Sequence, residues 1–375
     1  MHIADATLFY APRSGGVRRY LQCKRSHLQT LRGVRHTLVV PGLRSEAGPG
    51  IETVGAPRIP FSGGYRLPLR PAQWRDLLCR IEPDLIEVGD PYHLAWAALA
   101  AAERLGVPAV AFAHSDLSRL LASRLGRPAG KLADAYLRRL YAHFDLVLAP
   151  SRTVANHLQS IGVDHVDVQP LGVDGEVFHP SARDPELRAR LGLPAGTRLL
   201  AFAGRMAREK SIPLMCRAVE RLGNPYHLLL IGAREQRRVS SRVTELPYQH
   251  DARSLAGLLA GADALLHAGQ QETFGLVLLE AMACGRPIVG VRAGAVAELV
   301  DDDVGRLADT GSVTALAAAI EALYAADRER IGAAARARVE RSYTWPQVFN
   351  TQLERYARLA QVCPADFGLL EHATP

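Results

Sequence analysis

Glu272 and Glu280 stand in one short segment, ETFGLVLLE. The run ADALLHA before them reads as a buried strand. The run from Phe274 to Cys284 has helical spacing and stops at Gly285–Arg286–Pro287. Glu272 then falls in the loop leaving the strand, and the N–H groups of Thr273, Phe274 and Gly275 open the helix, with Leu276 in the same turn. Free N–H groups and the positive end of a helix dipole suit an anion such as a diphosphate. Gly275 lets the backbone approach it closely. Glu280, inside the helix, could accept hydrogen bonds from sugar hydroxyls. Two glutamates alone fit a helix cap and a solvated side chain better.

Further segments share that placement. GRMAREK (204–210) follows the apolar run RLLAFA, so Arg205 and Lys210 sit at a strand end, beside a helix expected to begin near Glu209. Two cations there could neutralise a diphosphate leaving group; a solvated basic loop is the commoner reading of such a pair. SGGVRRY (14–20) follows the first strand, and Gly15 and Gly16 allow a tight turn against a ligand, as they do in many ordinary turns. His114, in FAHSD, ends the run PAVAFA and points toward the ligand edge. A polar ligand contact and a satisfied structural histidine fit it equally.

Other chemistries find no support. There is no G-x-G-x-x-G fingerprint and no H-E-x-x-H. GRPAGK (126–131) is one residue short of a phosphate-binding loop and is followed by Leu132 instead of Ser or Thr. Asp301–Asp302–Asp303 reads as an acidic turn. The five cysteines lack metal-ligand or redox spacing and read as reduced thiols. Neither a metal nor a cofactor is expected. No apolar run approaches the roughly 18–20 residues of a membrane span, and the start MHIADATLFYAPR does not look like a signal peptide. These features point to a cytoplasmic protein.

The elements that would position these residues alternate. IADATLF, HTLVV, DLIEV, PAVAFA and DLVLAP read as strands, separated by GVRRYLQCKRSHLQTL, YHLAWAALAAAERLG and GKLADAYLRRLYAHF, with helical spacing. The pattern then restarts with RLLAFAG, YHLLLIG, ADALLHA and RPIVGV, between KSIPLMCRAVERL, DARSLAGLLAGA, GLVLLEAMACG and VTALAAAIEALYAA. Two serial α/β patterns in 375 residues predict two doubly wound parallel-sheet domains facing across a cleft, with ligands beyond the strand C-termini. The Pro-, Gly- and Asp-rich stretch after residue 171 reads as the join. The expected organisation is 1–175, 176–345 and a C-terminal helix in 346–375 packing back on the first domain.

Charge is unevenly divided. Residues 1–170 hold 21 Lys and Arg against 14 Asp and Glu, so they carry the whole net +7. An anionic partner for the first domain and an Arg-rich composition without functional meaning explain this equally.

Taken in order, these segments resemble family 4 glycosyltransferases, retaining enzymes of the GT-B fold. The similarity is strongest over 260–300, with its E-x7-E pair and Phe–Gly, and extends through GRMAREK, PLGVDGEVFHP, APSRTVANHL and SGGVRRY. The resemblance implies a nucleotide-sugar donor, UDP- or GDP-linked, and a hydroxyl acceptor: a lipid, glycan or phosphorylated small molecule of the cell envelope. By the same resemblance Arg205 and Lys210 bind the diphosphate and Glu280 the ribose. Glu272 with the backbone of Thr273, Phe274 and Gly275 holds the sugar and distal phosphate, Gly16 lies on the phosphate side, His114 contacts the sugar, and Tyr248 borders the base. Three positions depart from the pattern: Ala268–Gly269 for Pro–Ser, Gly294–Ala295 for Gly–Gly, and Ser211 for the glycine after the lysine. A nucleotide-sugar epimerase, a phosphorylase and a non-catalytic binding protein of the same fold are the rivals. A nucleic-acid partner is not expected, because the aromatics are few and the charge forms no reading helix.

The acceptor is expected on the basic first half. Arg13, Arg18, Arg19, Lys24 and Arg25 flank the Gly–Gly turn, and Arg58, Arg66, Arg70 and Arg75 surround Phe61, Tyr65 and Trp74. Arg119, Arg124, Arg127 and Lys131 interleave with leucines. This mixture suits peripheral docking on anionic lipid, a phosphorylated acceptor, or simply a solvated rim.

Overall fold

A computed structural model describes residues 1–11, 15–60, 62, 64–363 and 367. The chain forms two compact units, Met1–Leu171 with the chain from Trp345, and Gly172–Thr344. Both are parallel-sheet, Rossmann-like domains.

The first unit runs β1 (His2–Ala6), α1 (Gly15–Leu28), β2 (Arg35–Gly42), β3 (Glu46–Gly48), β4 (Ile51–Gly55), α2 (Pro71–Ile81), β5 (Leu85–Val88) and α3 (His93–Leu105). It continues with β6 (Ala109–Phe112), α4 (Leu117–Leu125), α5 (Arg127–Tyr141), β7 (Leu146–Ala149), α6 (Arg152–Ser160) and β8 (Val166–Val168). The sheet order is β3-β4-β2-β1-β5-β6-β7-β8, parallel except for β3. β1, β5 and β6 are buried along their whole length, as strands covered on both faces must be. α5 starts earlier than its apolar spacing predicts, because Pro128 is preorganised for a first helical turn.

Two buried strands carry acids, Asp5 on β1 and Glu87 on β5. Lys24 of α1 meets both, with Nζ 2.9 Å from Asp5 Oδ1 and 2.7 Å from Glu87 Oε2. Lys24 is only 1% exposed, so it does not belong to the basic surface beside the Gly–Gly turn. Burial raises both carboxylates; Lys24 and then His36 draw Asp5 down to about 2. Glu87, which also faces Asp5, stays up at about 7.

The C-terminal helix, Trp345–Leu359, completes this cluster. Gln352 Nε2 donates to Tyr20 Oη at 2.7 Å and to Glu87 Oε2 at 3.0 Å, and Tyr356 Oη donates to Glu87. Trp345 and Phe349 stack on each other at 5.1 Å and pack on the Tyr20 ring. The helix therefore joins the first unit through an apolar face and a buried polar network together.

The second unit runs α7 (Leu187–Arg190), β9 (Arg198–Ala203), α8 (Ile212–Leu222), β10 (Tyr226–Ala233), β11 (Arg237–Ser240), β12 (Val243–Pro247) and α9 (Ala252–Gly261). Then come β13 (Ala264–His267), α10 (Leu276–Ala283), β14 (Ile288–Val291), α11 (Val296–Leu299), β15 (Gly305–Ala308), α12 (Val313–Ala325) and α13 (Arg328–Ser342). The sheet order is β11-β12-β10-β9-β13-β14-β15, parallel except for β11. Asp251, Ser312 and Asp327 cap α9, α12 and α13 through their side-chain oxygens, each contributing about 1 kcal/mol. The unit's ends meet, with Val173 N–H donating to Tyr343 O at 2.8 Å.

The connection from β9 to α8 is a 3₁₀ turn, Arg208–Lys210, and α8 begins only at Ile212. Ser211 between them is left-handed, with φ +52°. That conformation explains why glycine suits this position in the resembled pattern, and why a serine there is strained.

Removing one partner of the buried cluster leaves uncompensated charge, so Lys24→Met is expected to lower unfolding free energy by about 3–5 kcal/mol in urea titration. Ser211→Gly, which relieves strain but frees the unfolded chain, is expected to stabilise by about 0.5 kcal/mol, and Ser211→Val to destabilise by about 1 kcal/mol. Equal stability of the glycine and valine variants would contradict a strained Ser211.

Candidate active site

In the second unit β9 lies between β10 and β13, so the chain winds one way from β9 to β10 and β12 and the other way from β13 to β15. Loops leaving β9 and β13 part at this reversal, where doubly wound sheets bind ligands. The β9 loop carries Arg205 and Lys210, and the β13 loop carries Glu272.

The structure brings Lys210 and Glu272 into an ion pair, with side chains 18% and 12% exposed. His267, the last residue of β13 and fully buried, places Nε2 3.1 Å from Glu272 Oε1. Both contacts fall on Oε1. Burial alone would raise the Glu272 carboxyl, but the His267 hydrogen bond and the Lys210 charge hold it down at about 2. Glu272 is therefore a carboxylate at neutral pH. Its carbonyl oxygen accepts from the Ala295 N–H at 3.1 Å, which ties the loop after β14 to the same point.

The helix after Glu272 begins later than its spacing predicts. α10 starts at Leu276, and Gly275 precedes it with φ +87°. A Cβ at Gly275 would lie 2.7 Å from Leu278 Cδ1, and the left-handed backbone there favours glycine over any other residue. Thr273 and Phe274 accordingly belong to the loop, and the N–H groups of the first turn start at Leu276. Phe274 is buried, 6.3 Å from the Tyr343 ring. Glu280 lies within α10 and is 4% exposed, so it is not the solvated side chain that its position in the sequence allowed.

Arg205 is 74% exposed and pairs with Glu209 at 3.2 Å. Tyr248 follows β12, is 47% exposed, and packs edge-on to His250 at 4.9 Å. Arg205, Lys210, Glu272 to Leu276, Glu280 and Tyr248 thus all belong to one unit, while His114, Gly15, Gly16, Arg18 and Arg19 belong to the other.

In the first unit His114 follows β6 and stacks on Phe112 at 4.0 Å, with Tyr20 edge-on at 5.0 Å. Burial first, and then the Lys24 charge, hold its pKa down to about 3, so the ring is neutral. Gly15 and Gly16 are exposed at the start of α1. The Arg18 guanidinium lies 5.4 Å from the Tyr10 ring centre, and Arg19 is half-buried. Arg13 and Phe61 lie outside the described residues. Trp74 is fully buried in the core and cannot belong to a docking surface.

Two residues escape the sequence reading. His267 looks like part of an apolar strand, and only its chemical type sets it apart from its neighbours. Asp90 follows β5, at the strand-order reversal of the first unit, and is 3% exposed. It accepts from Leu8 N–H at 2.7 Å and from the Thr7 hydroxyl at 3.2 Å. Burial outweighs those bonds and raises its carboxyl to about 6.

Residues 14–177 match the model for Glycosyltransferase Family 4, and residues 183–338 match that for Glycosyl transferases group 1. A GDP-mannose-dependent alpha-(1-6)-phosphatidylinositol dimannoside mannosyltransferase from Mycobacterium tuberculosis is 32% identical, over 96% of this chain and 97% of that one. A D-inositol 3-phosphate glycosyltransferase from Xylanimonas cellulosilytica is 31% identical over 84% of each. Among solved structures, a sucrose-phosphate synthase from Thermosynechococcus elongatus superposes with TM-score 0.77 at 20% identity, covering 96% of this chain and 99% of that one. Anabaena HepE in complex with UDP does so at 0.76 and 19%, covering 96% and 100%. With two Rossmann-like units, a Lys–Glu pair at the strand-order reversal of the second and a full-length relative at this identity, the chain belongs to the family 4 glycosyltransferases of the GT-B fold and uses a nucleotide-sugar donor.

Proposed function

We propose that the protein transfers mannose from GDP-mannose, with retention of configuration, to a hydroxyl of a lipid-linked glycan or polyol of the cell envelope. The observation that carries the donor half is the Lys210–Glu272 pair beside the start of α10. Mannose, GDP and the lipid acceptor are supported by the name of the full-length mycobacterial relative. The second unit binds the donor and the first the acceptor.

In this reading the diphosphate takes up Lys210 and Arg205. Glu272 keeps its charge and accepts from sugar hydroxyls. The amides of Thr273 to Leu276 face the distal phosphate, Glu280 the ribose and Tyr248 the base. Gly15 and Gly16 leave room for the phosphates. The bond from C1 to the phosphate oxygen breaks, the acceptor oxygen bonds C1 on the same face, and its proton passes to the leaving phosphate. Fixed cations supply the charge balance that a divalent ion would supply elsewhere, so turnover in a chelator is expected to match turnover without one. His114, held neutral, acts as a hydrogen-bonding group and not as an acid. Arg18 and Arg19, with Arg13, are proposed to face an anionic acceptor.

The α4–α5 hairpin is proposed as a contact with anionic membrane. Leu125 is 71% and Leu132 75% exposed, and Arg124, Arg127 and Lys131 around them are exposed as well. Among the described residues no helix is long and apolar enough to cross a membrane. Leucines beside basic residues favour surface insertion into anionic lipid.

Thermal-shift titration with GDP, UDP and ADP tests the donor. GDP at about 100 times its dissociation constant should stabilise by about 2.7 kcal/mol. The shift should vanish in Lys210→Ala, and mannose transfer should fall about 10²–10³-fold. A shift with UDP alone would overturn the choice of base, and unchanged transfer in Lys210→Ala the role of the lysine. In vesicle flotation the wild type should rise with phosphatidylglycerol vesicles but not with phosphatidylcholine, and Leu125→Glu with Leu132→Glu should remain below. Wild type that stays below with both lipids would remove the membrane reading.

A further inference from the structure

We infer that His267 is a positioning residue: its imidazole fixes the orientation of the Glu272 carboxylate, and Gly269 is present because this ring occupies the space above it. The inference rests on the donor role proposed for Glu272 and extends it to a residue outside the E-x7-E pair.

The geometry fixes the tautomer. Gly269 N–H donates to His267 Nδ1 at 3.3 Å, so Nδ1 bears no proton. A neutral imidazole then carries its proton on Nε2. That proton points at Glu272 Oε1, 3.1 Å away. Lys210 reaches the same oxygen. The lysine supplies charge on a flexible stem with rotatable donors, while the imidazole supplies direction from a rigid ring. The ring is fully buried at the end of β13, with the Phe202 ring 6.0 Å away. Dense packing around a buried ring limits its rotation. Both contacts fall on Oε1, so neither occupies Oε2. Once the diphosphate takes up Lys210, the imidazole alone keeps Oε1 in place, and Oε2 is left to a sugar hydroxyl.

Gly269 closes the argument. A Cβ there would lie 2.8 Å from His267 Cε1 and 3.2 Å from Glu209 O. A serine, the residue of the resembled pattern, would push the imidazole off Glu272. The departure at Ala268–Gly269 is thus tied to the histidine two residues earlier. Ring, glycine and carboxylate form one unit in this chain, and the loop after β9 packs against it through Glu209.

The test compares His267→Leu, which keeps bulk and removes the donor, with His267→Gln, whose amide nitrogen can stand near Nε2. Each is measured alone and with Glu272→Gln. Free GDP has no sugar for Glu272 to orient, so His267→Leu should bind GDP like the wild type. It should bind GDP-mannose about 10-fold more weakly and turn over about 100-fold more slowly. His267→Gln should recover most of both. In the Glu272→Gln background, His267→Leu should add nothing. Gly269→Ser should reproduce the His267→Leu pattern with the imidazole still present.

Wild-type affinity for GDP-mannose in His267→Leu would overturn the inference. So would equal loss of GDP and GDP-mannose binding, which marks general damage, or full multiplication of the two losses in the double variant. If the wild type itself binds no nucleoside diphosphate, the donor reading fails instead. The urea double-mutant cycle of residues 267 and 272 then decides: coupling of about twofold or more in the unfolding constant upholds the positioning role, and no coupling removes it.

Discussion

A carboxylate taken out of water at the end of a parallel sheet costs several kcal/mol unless opposite charge and hydrogen-bond donors replace its hydration. Glu272 imposes that constraint on the second unit, and the local structure follows from it. The β9 loop delivers Lys210 on the 3₁₀ turn Arg208–Lys210, and the left-handed Ser211 then turns the chain into α8. The β13 strand must end in a histidine. The β14 loop must bring Ala295 N–H to the Glu272 backbone. Strands 9, 13 and 14 are neighbours in the sheet, so three loops reach one point without a long detour. A group that holds a charge in a nearly dry place also holds it ready for a ligand that arrives with its own.

Much of this was legible in the sequence. The central strands are apolar runs, and their helices carry clear spacing, stops and caps. The two antiparallel edge strands were not legible. β3 and β11 are short and mostly exposed, so they lack the apolar signal that marks a buried strand. The placement of the E-x7-E segment and GRMAREK beside strand ends was legible because each follows an apolar strand run. The start of α10 was misread because Thr273 and Phe274 have helical spacing, while the left-handed Gly275 decides where the helix begins. His267, Asp90 and Lys24 were missed or misplaced for one common reason. Each is a polar group whose meaning lies in partners far away along the chain, and spacing within a segment carries no record of them.

Lys24 shows the point most clearly. By sequence it is one more basic residue after a glycine turn; in the fold it is the counter-charge of two buried strands. Replacing such a cluster by apolar side chains is often neutral for stability, so stability is not a sufficient account of why one exists. Here the cluster has a second property. Tyr20, Glu87 and Gln352 bond one another across the helix–sheet junction, which gives the C-terminal helix a register that apolar packing of Trp345 and Phe349 leaves looser. Directional bonds select one seating among several that would bury similar area.

The order of those partners along the chain has a consequence for synthesis. The first unit is finished by the helix that begins at Trp345, but residues 172–344 of the second unit are made in between. At about 5–20 residues per second, the ribosome takes roughly 10–30 s over that stretch. Throughout it, the nascent first unit carries Glu87 and Tyr20 without Gln352 and Tyr356, and an apolar seat awaiting its helix. The second unit is continuous, and its ends meet at Val173 and Tyr343 before that helix is made. The unit translated second is therefore the first that can fold to completion, and the first unit stays unfinished until the Trp345–Leu359 helix emerges.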